Sequence, residues 1–160
     1  MLTFRLSKKK YENDISGLGS LQYPGRWNMQ GIQMLYTSEN SSLSILEVAV
    51  HYSNISKMKE YTLLIIEIPE KNLTIKKLNI TQLPNNWDEF PLNSATQKIG
   101  TEWIQSRSTL LLSVPSAINS HENNILLNPS HPDFKNIRII NKQDFNLQKK
   151  FINRLLQEQT

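Results

Sequence analysis

The chain contains no cysteine, which excludes disulfides and thiolate metal sites and leaves His, Asp and Glu as its strong ligand types. Its 5 glycines form no G-x-G-x-x-G or Walker lysine pattern, so Rossmann and P-loop nucleotide sites are excluded at the motif level. No apolar run approaches the roughly 18 residues of a membrane-spanning helix. The first residues, "MLTFRLSKKKYEND", lack the apolar core and small-residue cleavage site of a signal peptide, and the cytosol is the expected compartment. Charge of either sign is modest too. Against 14 Asp and Glu, 18 Lys and Arg leave a net +4, scattered as pairs and one triplet, Lys8, Lys9 and Lys10. A nucleic-acid binder would gather that charge into a stripe, so direct nucleic-acid contact is not expected. His51, His121 and His131 show no H-E-x-x-H or similar spacing, and no metal is expected.

What is present suits one domain over residues 1–160, long enough to bury about two thirds of its unfolded surface. "LTFRL" alternates as a strand and is followed by a Gly/Pro-rich loop over 17–31, long enough to need a functional reason. "IQMLYTS" reads as a second strand and "SSLSILEVAVHYS" as a serine-capped helix. "YTLLIIEIP" is a buried strand stopped by Pro69, and "NLTIKKLNI" adds a short one. "SATQKIGTEWIQSRS" is helical with a weak point at Gly100, and "TLLLSVPS" is a strand ending at Pro115. "NILLNPSHPDF" and "NIRII" read as two short strands joined by a Pro-rich turn, and an amphipathic helix is expected over about 144–158. Strands and helices interleave without regular βαβ spacing, which predicts an α+β fold with mostly antiparallel pairing.

Glu47 leads the residues that could carry chemistry. On a helical wheel Leu43, Ile45, Leu46, Val48, Ala49 and Val50 sweep more than half the circumference, and Glu47, Ser44 and His51 share the remaining gap. A carboxylate there is costly unless something pairs or uses it. Two plainer readings stand beside catalysis: a capping box from Ser44 to Glu47, and a hydrogen-bonded pair with His51. Arg5 on the first strand and Arg26 in the turn "GRWN" offer planar donor forks that fit phosphate, and Gly25 permits close backbone approach. Taken singly, the plainer reading of either arginine is an ordinary surface residue. Tyr36 at a strand end reads as core packing or as a stacking surface. Ser116 has no G-x-S-x-G elbow around it, which leaves a positioning hydroxyl or a turn serine.

In order along the chain, "FRL", "GRWN" with "LYTS" and "LE", "IG…W" with "LLLSVPS", and "LLNPSHPDF" resemble the RES-domain family, toxins of bacterial toxin–antitoxin pairs. The family is named for an arginine, a glutamate and a serine, and Arg26, Glu47 and Ser116 stand in the matching motifs; the resemblance spans residues 5–134. It implies a fold similar to ADP-ribosyltransferases of the diphtheria-toxin type and an activity that consumes NAD+, by phosphorolysis with inorganic phosphate as co-substrate, by hydrolysis, or by ADP-ribosyl transfer to a protein. By the same resemblance Glu47 is the catalytic carboxylate, with Arg26 and Tyr36 beside it. Arg5 and Arg26 would hold the pyrophosphate, Tyr36 would stack on nicotinamide, Ser116 would bond its carboxamide or a ribose, and Asn128 would line the wall. Trp27 and Asn28 are assigned to holding the loop. The implied partner is an Xre-type helix-turn-helix antitoxin, with homo-oligomerisation left open. Two competing functions remain: an inactive interaction module of the same fold, and a ribonuclease using His51 with Glu47.

Overall fold

The structure, a computed structural model, describes residues 1–51, 60–71 and 73–146. Its elements in chain order are β1 (Leu2–Lys8), α1 (Gly19–Gln22), β2 (Leu35–Ser38), α2 (Ser41–Ala49), β3 (Tyr61–Glu67), β4 (Ile75–Lys77), α3 (Ser94–Ser106), β5 (Leu111–Pro115), β6 (Asn123–Leu127) and β7 (Arg138–Phe145). The strands form one sheet of order β4-β5-β6-β2-β1-β3-β7. Only β4 and β5 run parallel; every other neighbouring pair is antiparallel.

The sequence explains the central strands. "YTLLIIE" in β3 is rich in β-branched and apolar residues and is buried on both sides, because β1 and β7 flank it and both faces of the sheet are covered. Each long helix starts on an asparagine: Asn40 Oδ1 accepts from Leu43 N (2.8 Å) for α2, and Asn93 Oδ1 accepts from Ala95 N (2.8 Å) for α3.

Both helices lie on one face. Ile45, Val48 and Ala49 of α2 pack on Leu6, Tyr61, Leu63 and Phe145, while Trp103 and Ile104 of α3 pack on Leu112, Val114 and Leu126 with Trp27 and Trp87. Leu35, Leu64, Ile66, Leu111, Ile125 and Leu127 form the layer behind the sheet, closed by Phe134 and Ile137. The two halves meet weakly. β1 and β2 share a single register pair, Phe4 opposite Ser38. Beyond it the strands diverge, and Leu6 N donates to Ser44 Oγ (2.7 Å) while Tyr36 O accepts from Arg5 Nη1 (2.8 Å).

Several expectations are corrected in detail. The second strand begins at Leu35, not Ile32, because residues ahead of it are spent closing the long loop: Ser20 Oγ accepts from Met34 N and donates to Gly17 O and Ile32 O. The last strand runs on to Phe145, pairing with β3 on both sides of a bulge at Ile140, so Asp144 and Phe145 are extended and not the start of a helix. The rest of that expected helix lies outside the described residues. No helix among the described residues is long and apolar enough to cross a membrane.

Candidate active site

Glu47 is the seventh residue of α2, whose cap is Asn40, so it lies too far along for a capping box, and its side chain turns toward the sheet. The Ser44 hydroxyl is likewise spent on Leu6 N, not on the helix. Oε1 of Glu47 accepts two bonds, from Ser116 Oγ at 2.8 Å and from Asn124 Nδ2 at 2.5 Å. Oε2 has no protein donor among the described residues. A half-buried carboxylate with one oxygen anchored and the other unengaged among the described residues is oriented by them without being saturated. His51 is exposed and makes no bond with it among the described residues, so the pairing the ribonuclease reading needs is not formed.

Both anchors are themselves fixed. Ser116, fully buried after β5, accepts from Ile118 N (3.1 Å) and Asn119 N (3.2 Å) while donating to Glu47. Its proton and lone pairs are therefore used within the protein, and the hydroxyl supports Glu47 where contact with a ligand had been expected. Asn124 Oδ1 accepts from Ser38 Oγ at 2.7 Å.

The "GRWN" turn rests on α3. A Cβ on Gly100 would stand 1.9 Å from Trp27 O, so only glycine lets the loop backbone lie on the helix there. Gln97 Nε2 donates to Gly25 O (3.0 Å) and Thr101 Oγ1 accepts from Met29 N (3.0 Å), on either side of that contact. Trp27 is buried with its ring 6.2 Å from that of Trp87. Asn28, fully buried, accepts from Gly25 N and Tyr36 Oη and donates to Ser20 O, Met29 O and Ile32 O. Gly25 is close to Tyr36 and not open to a ligand: a Cβ there would meet Tyr36 Oη at 2.7 Å.

Tyr36 Oη also accepts from Trp27 N (3.1 Å). Burial raises the phenol's pKa well above its ordinary value, against the smaller effects of the Trp27 and Asn28 bonds and the Arg26 charge, so the phenol is neutral. Arg26 is half-buried, and its fork grips a neighbouring loop: Nη1 donates to Trp87 O (2.5 Å) and Glu89 O (3.1 Å), Nη2 to Asp88 O (3.2 Å). Burial lowers its pKa, while Asp88, Glu47 and Tyr36 oppose that shift, which places Glu47 within the guanidinium's electrostatic reach.

The structure thus joins Glu47 to Ser116 by a hydrogen bond and Tyr36 to the turn that carries Arg26 through Trp27 N, with Arg26 sensing the charge of Glu47. Arg5 touches this group only through the Tyr36 carbonyl, and Asn128 stands apart from it. Arg5 pairs across the sheet with Leu64 of the rear layer; burial lowers its pKa, Asp14 opposes this, and its Nε is buried without a partner among the described residues. Asn128 is fully buried in the turn after β6, donating to Ile104 O (3.0 Å) and accepting from Ser130 N (2.9 Å), so it shapes a turn instead of a site wall. The sequence reading missed Asn124, Ser38, Gln97 and Thr101. For Asn124 a signal existed, since an asparagine beside "ILL" in a strand opposes β-propensity.

A family model described as the RES domain matches residues 3–149. "Toxin Res" of Photorhabdus laumondii is 37% identical over 154 residues, covering 95% of this chain and 97% of its own. "Toxin Res" of Yersinia enterocolitica is 38% identical over 136 residues, 84% of this chain and 88% of its own. The "Prs ADP-ribosylating toxin" of a Sphingobium species is 36% identical over 132 residues, 81% of this chain and 82% of its own. In fold the chain is similar to the crystal structure of the M. tuberculosis MbcT–MbcA toxin–antitoxin complex, with a TM-score of 0.71 at 18% identity over 98% of this chain and 87% of that one. By its sequence over nearly its whole length, the chain belongs to the RES-domain family.

Proposed function

We propose that the protein is the toxin of a toxin–antitoxin pair and that it cleaves NAD+ at the bond between nicotinamide and ribose. The observation that carries this reading is the Glu47 carboxylate, with Oε1 anchored by Ser116 and Asn124 and Oε2 left for a ligand. When that bond breaks, its electron pair leaves with nicotinamide and positive charge builds on the ribose. A carboxylate held against a ribose hydroxyl stabilises this charge, and a preoriented one does so without reorganising. The acceptor is water, inorganic phosphate or a protein side chain, and it loses its proton as it bonds to the anomeric carbon.

The residues fit such a substrate. Tyr36 offers a neutral, half-buried ring, and Arg26 keeps Nε–H and one Nη2–H beyond its bonds to residues 87–89, suited to a phosphate oxygen. Arg5 acts one step back, holding the Tyr36 carbonyl. The fold is read as ADP-ribosyltransferase-like on the same grounds. The partner is read as an Xre-type antitoxin, in keeping with relatives named as toxins and a neighbour solved as a toxin–antitoxin complex. Purified protein incubated with NAD+, with and without phosphate, should release nicotinamide, and a phosphate-dependent product would identify phosphorolysis. Glu47→Gln should keep the fold and lose turnover by at least about 100-fold, the scale of removing one transition-state donor. No nicotinamide release from folded protein under either condition refutes the proposal.

A further inference from the structure

Neither Asn124 nor Ser38 belongs to the named arginine, glutamate and serine of the family, yet they complete a continuous chain of hydrogen bonds to Glu47. Ser38 Oγ donates to Asn124 Oδ1 (2.7 Å), and Asn124 Nδ2 donates to Glu47 Oε1 (2.5 Å). The order of donors is dictated by chemistry. An ionised carboxylate only accepts, so the amide must turn its NH2 toward Glu47 and its oxygen toward Ser38, and the serine must then donate. A flipped amide would set two oxygens against each other.

The placement is also unusual for a strand. Asn124 lies between Ser38 of β2 and Val114 of β5, on the face that carries Leu126, a position that favours apolar or β-branched side chains. Ser38 is buried and sits at the one register pair, with Phe4, through which the two halves of the sheet join. Ser116 reaches Oε1 from just past the end of β5 and Asn124 from within β6, so together they fix the rotation of the carboxylate plane and hence the direction of Oε2. Ser116 alone would leave that rotation open.

We propose that Asn124, held in one orientation by Ser38, is a positioning residue that aims the unengaged oxygen of Glu47. This rests on the reading of Glu47 as the catalytic carboxylate. Asn124→Leu keeps size and strand compatibility but removes both bonds. It should lower kcat for NAD+ cleavage by about 100-fold, the scale set by misplacing a reacting group by about 1 Å, with KM changed less than threefold. Asn124→Leu also strands the buried Ser38 hydroxyl, so its melting temperature should fall. Adding Ser38→Ala should restore most of that stability, because both polar partners are then gone, while kcat stays low. Stability and kcat recovering together would mark a merely structural role and overturn the proposal, as would unchanged kcat or a loss confined to KM.

A readout without turnover separates this failure from failure of the proposed reaction. In 15N-labelled wild-type protein one Asn124 side-chain amide proton should be shifted downfield by its bond to the carboxylate, and Glu47→Ala should abolish the shift. Wild-type protein that shows the shift but releases no nicotinamide refutes the reaction and this role with it. Wild-type protein that turns over, with Glu47→Gln inactive and Asn124→Leu fully active, refutes the positioning role alone.

Discussion

Gly100→Ala separates local propensity from tertiary packing, because the two give opposite signs. Within a helix, alanine is favoured over glycine by about 1 kcal/mol, so propensity alone makes the substitution stabilising. The structure says otherwise. The new Cβ would lie 1.9 Å from Trp27 O and 2.8 Å from Trp27 C, and the first of these must open to at least 3.0 Å. Backbone has to move to make that room. Trp27 is pinned by its ring against Trp87 and by its N–H on Tyr36 Oη, so the displacement spreads to the flanking bonds from Gln97 to Gly25 O and from Met29 N to Thr101. Overpacking costs about 1–3 kcal/mol, and weakening two hydrogen bonds adds about 1–2 kcal/mol. Less the propensity gain, a net loss of about 1–4 kcal/mol is expected, or roughly 2–16 °C in melting temperature for a chain of this size. Urea unfolding followed by tryptophan fluorescence reads this directly. Gly19→Ala is the control: nothing lies within 4 Å of a Cβ there, and its stability should stay within about 0.5 kcal/mol of wild type. A Gly100→Ala variant as stable as wild type would refute the claim that the loop is seated on α3 by this contact.

Tyr36→Phe removes an acceptor for Trp27 N–H and a donor to Asn28, and it should cost about 1–3 kcal/mol at neutral pH. It should also change the alkaline limb. The folded state raises the Tyr36 pKa, so its contribution is intact below the unfolded value of about 10 and is lost as pH rises beyond it; denaturation between pH 9 and 11 should be steeper in wild type than in the variant. Asn128→Ala should lose about 1–3 kcal/mol in urea unfolding with kcat and KM for NAD+ unchanged, whereas a raised KM would restore it to the site wall. Arg26→Lys replaces a planar fork bound to three carbonyls by a point charge, and it should raise KM about tenfold and speed proteolysis in residues 84–93, measured by limited digestion.

Much of this was legible in the sequence, and the legible parts share a cause. The buried run in β3, the helix carrying Glu47, though capped by Asn40 and not by a serine, and the proline that ends β5 are local signals, and local signals survive without the fold. Glu47 could be placed in the polar gap of α2 from periodicity alone. What filled the gap could not, because Ser116 and Asn124 lie 69 and 77 residues away along the chain. Gly100 shows the same limit from the other side. A glycine in a helix reads as weakness, and only the approach of Trp27 shows it as a requirement. Arg26 is a phosphate clamp only by the family resemblance, since its turn alone suits an ordinary surface arginine. The carbonyls of Trp87, Asp88 and Glu89 that it grips come from a segment whose sequence gives no sign of the contact.

The divergence of β1 from β2 explains how these pieces come to form a site. Continuing the register of Phe4 with Ser38 would set Leu6 opposite Tyr36, where the strands would exchange backbone bonds. Instead Leu6 N–H is taken by Ser44 and Tyr36 C=O by Arg5. Buried backbone groups must find partners, so a sheet can open only where side chains substitute for the missing ladder. One substitute comes from α2 three residues before Glu47, and the other fixes the strand that carries Tyr36. The groups that hold the strands apart therefore also seat the carboxylate and the ring, and the polar side of α2 is accounted for by two tasks: Ser44 opens the sheet, and Glu47 faces Ser116 and Asn124 beside the opening.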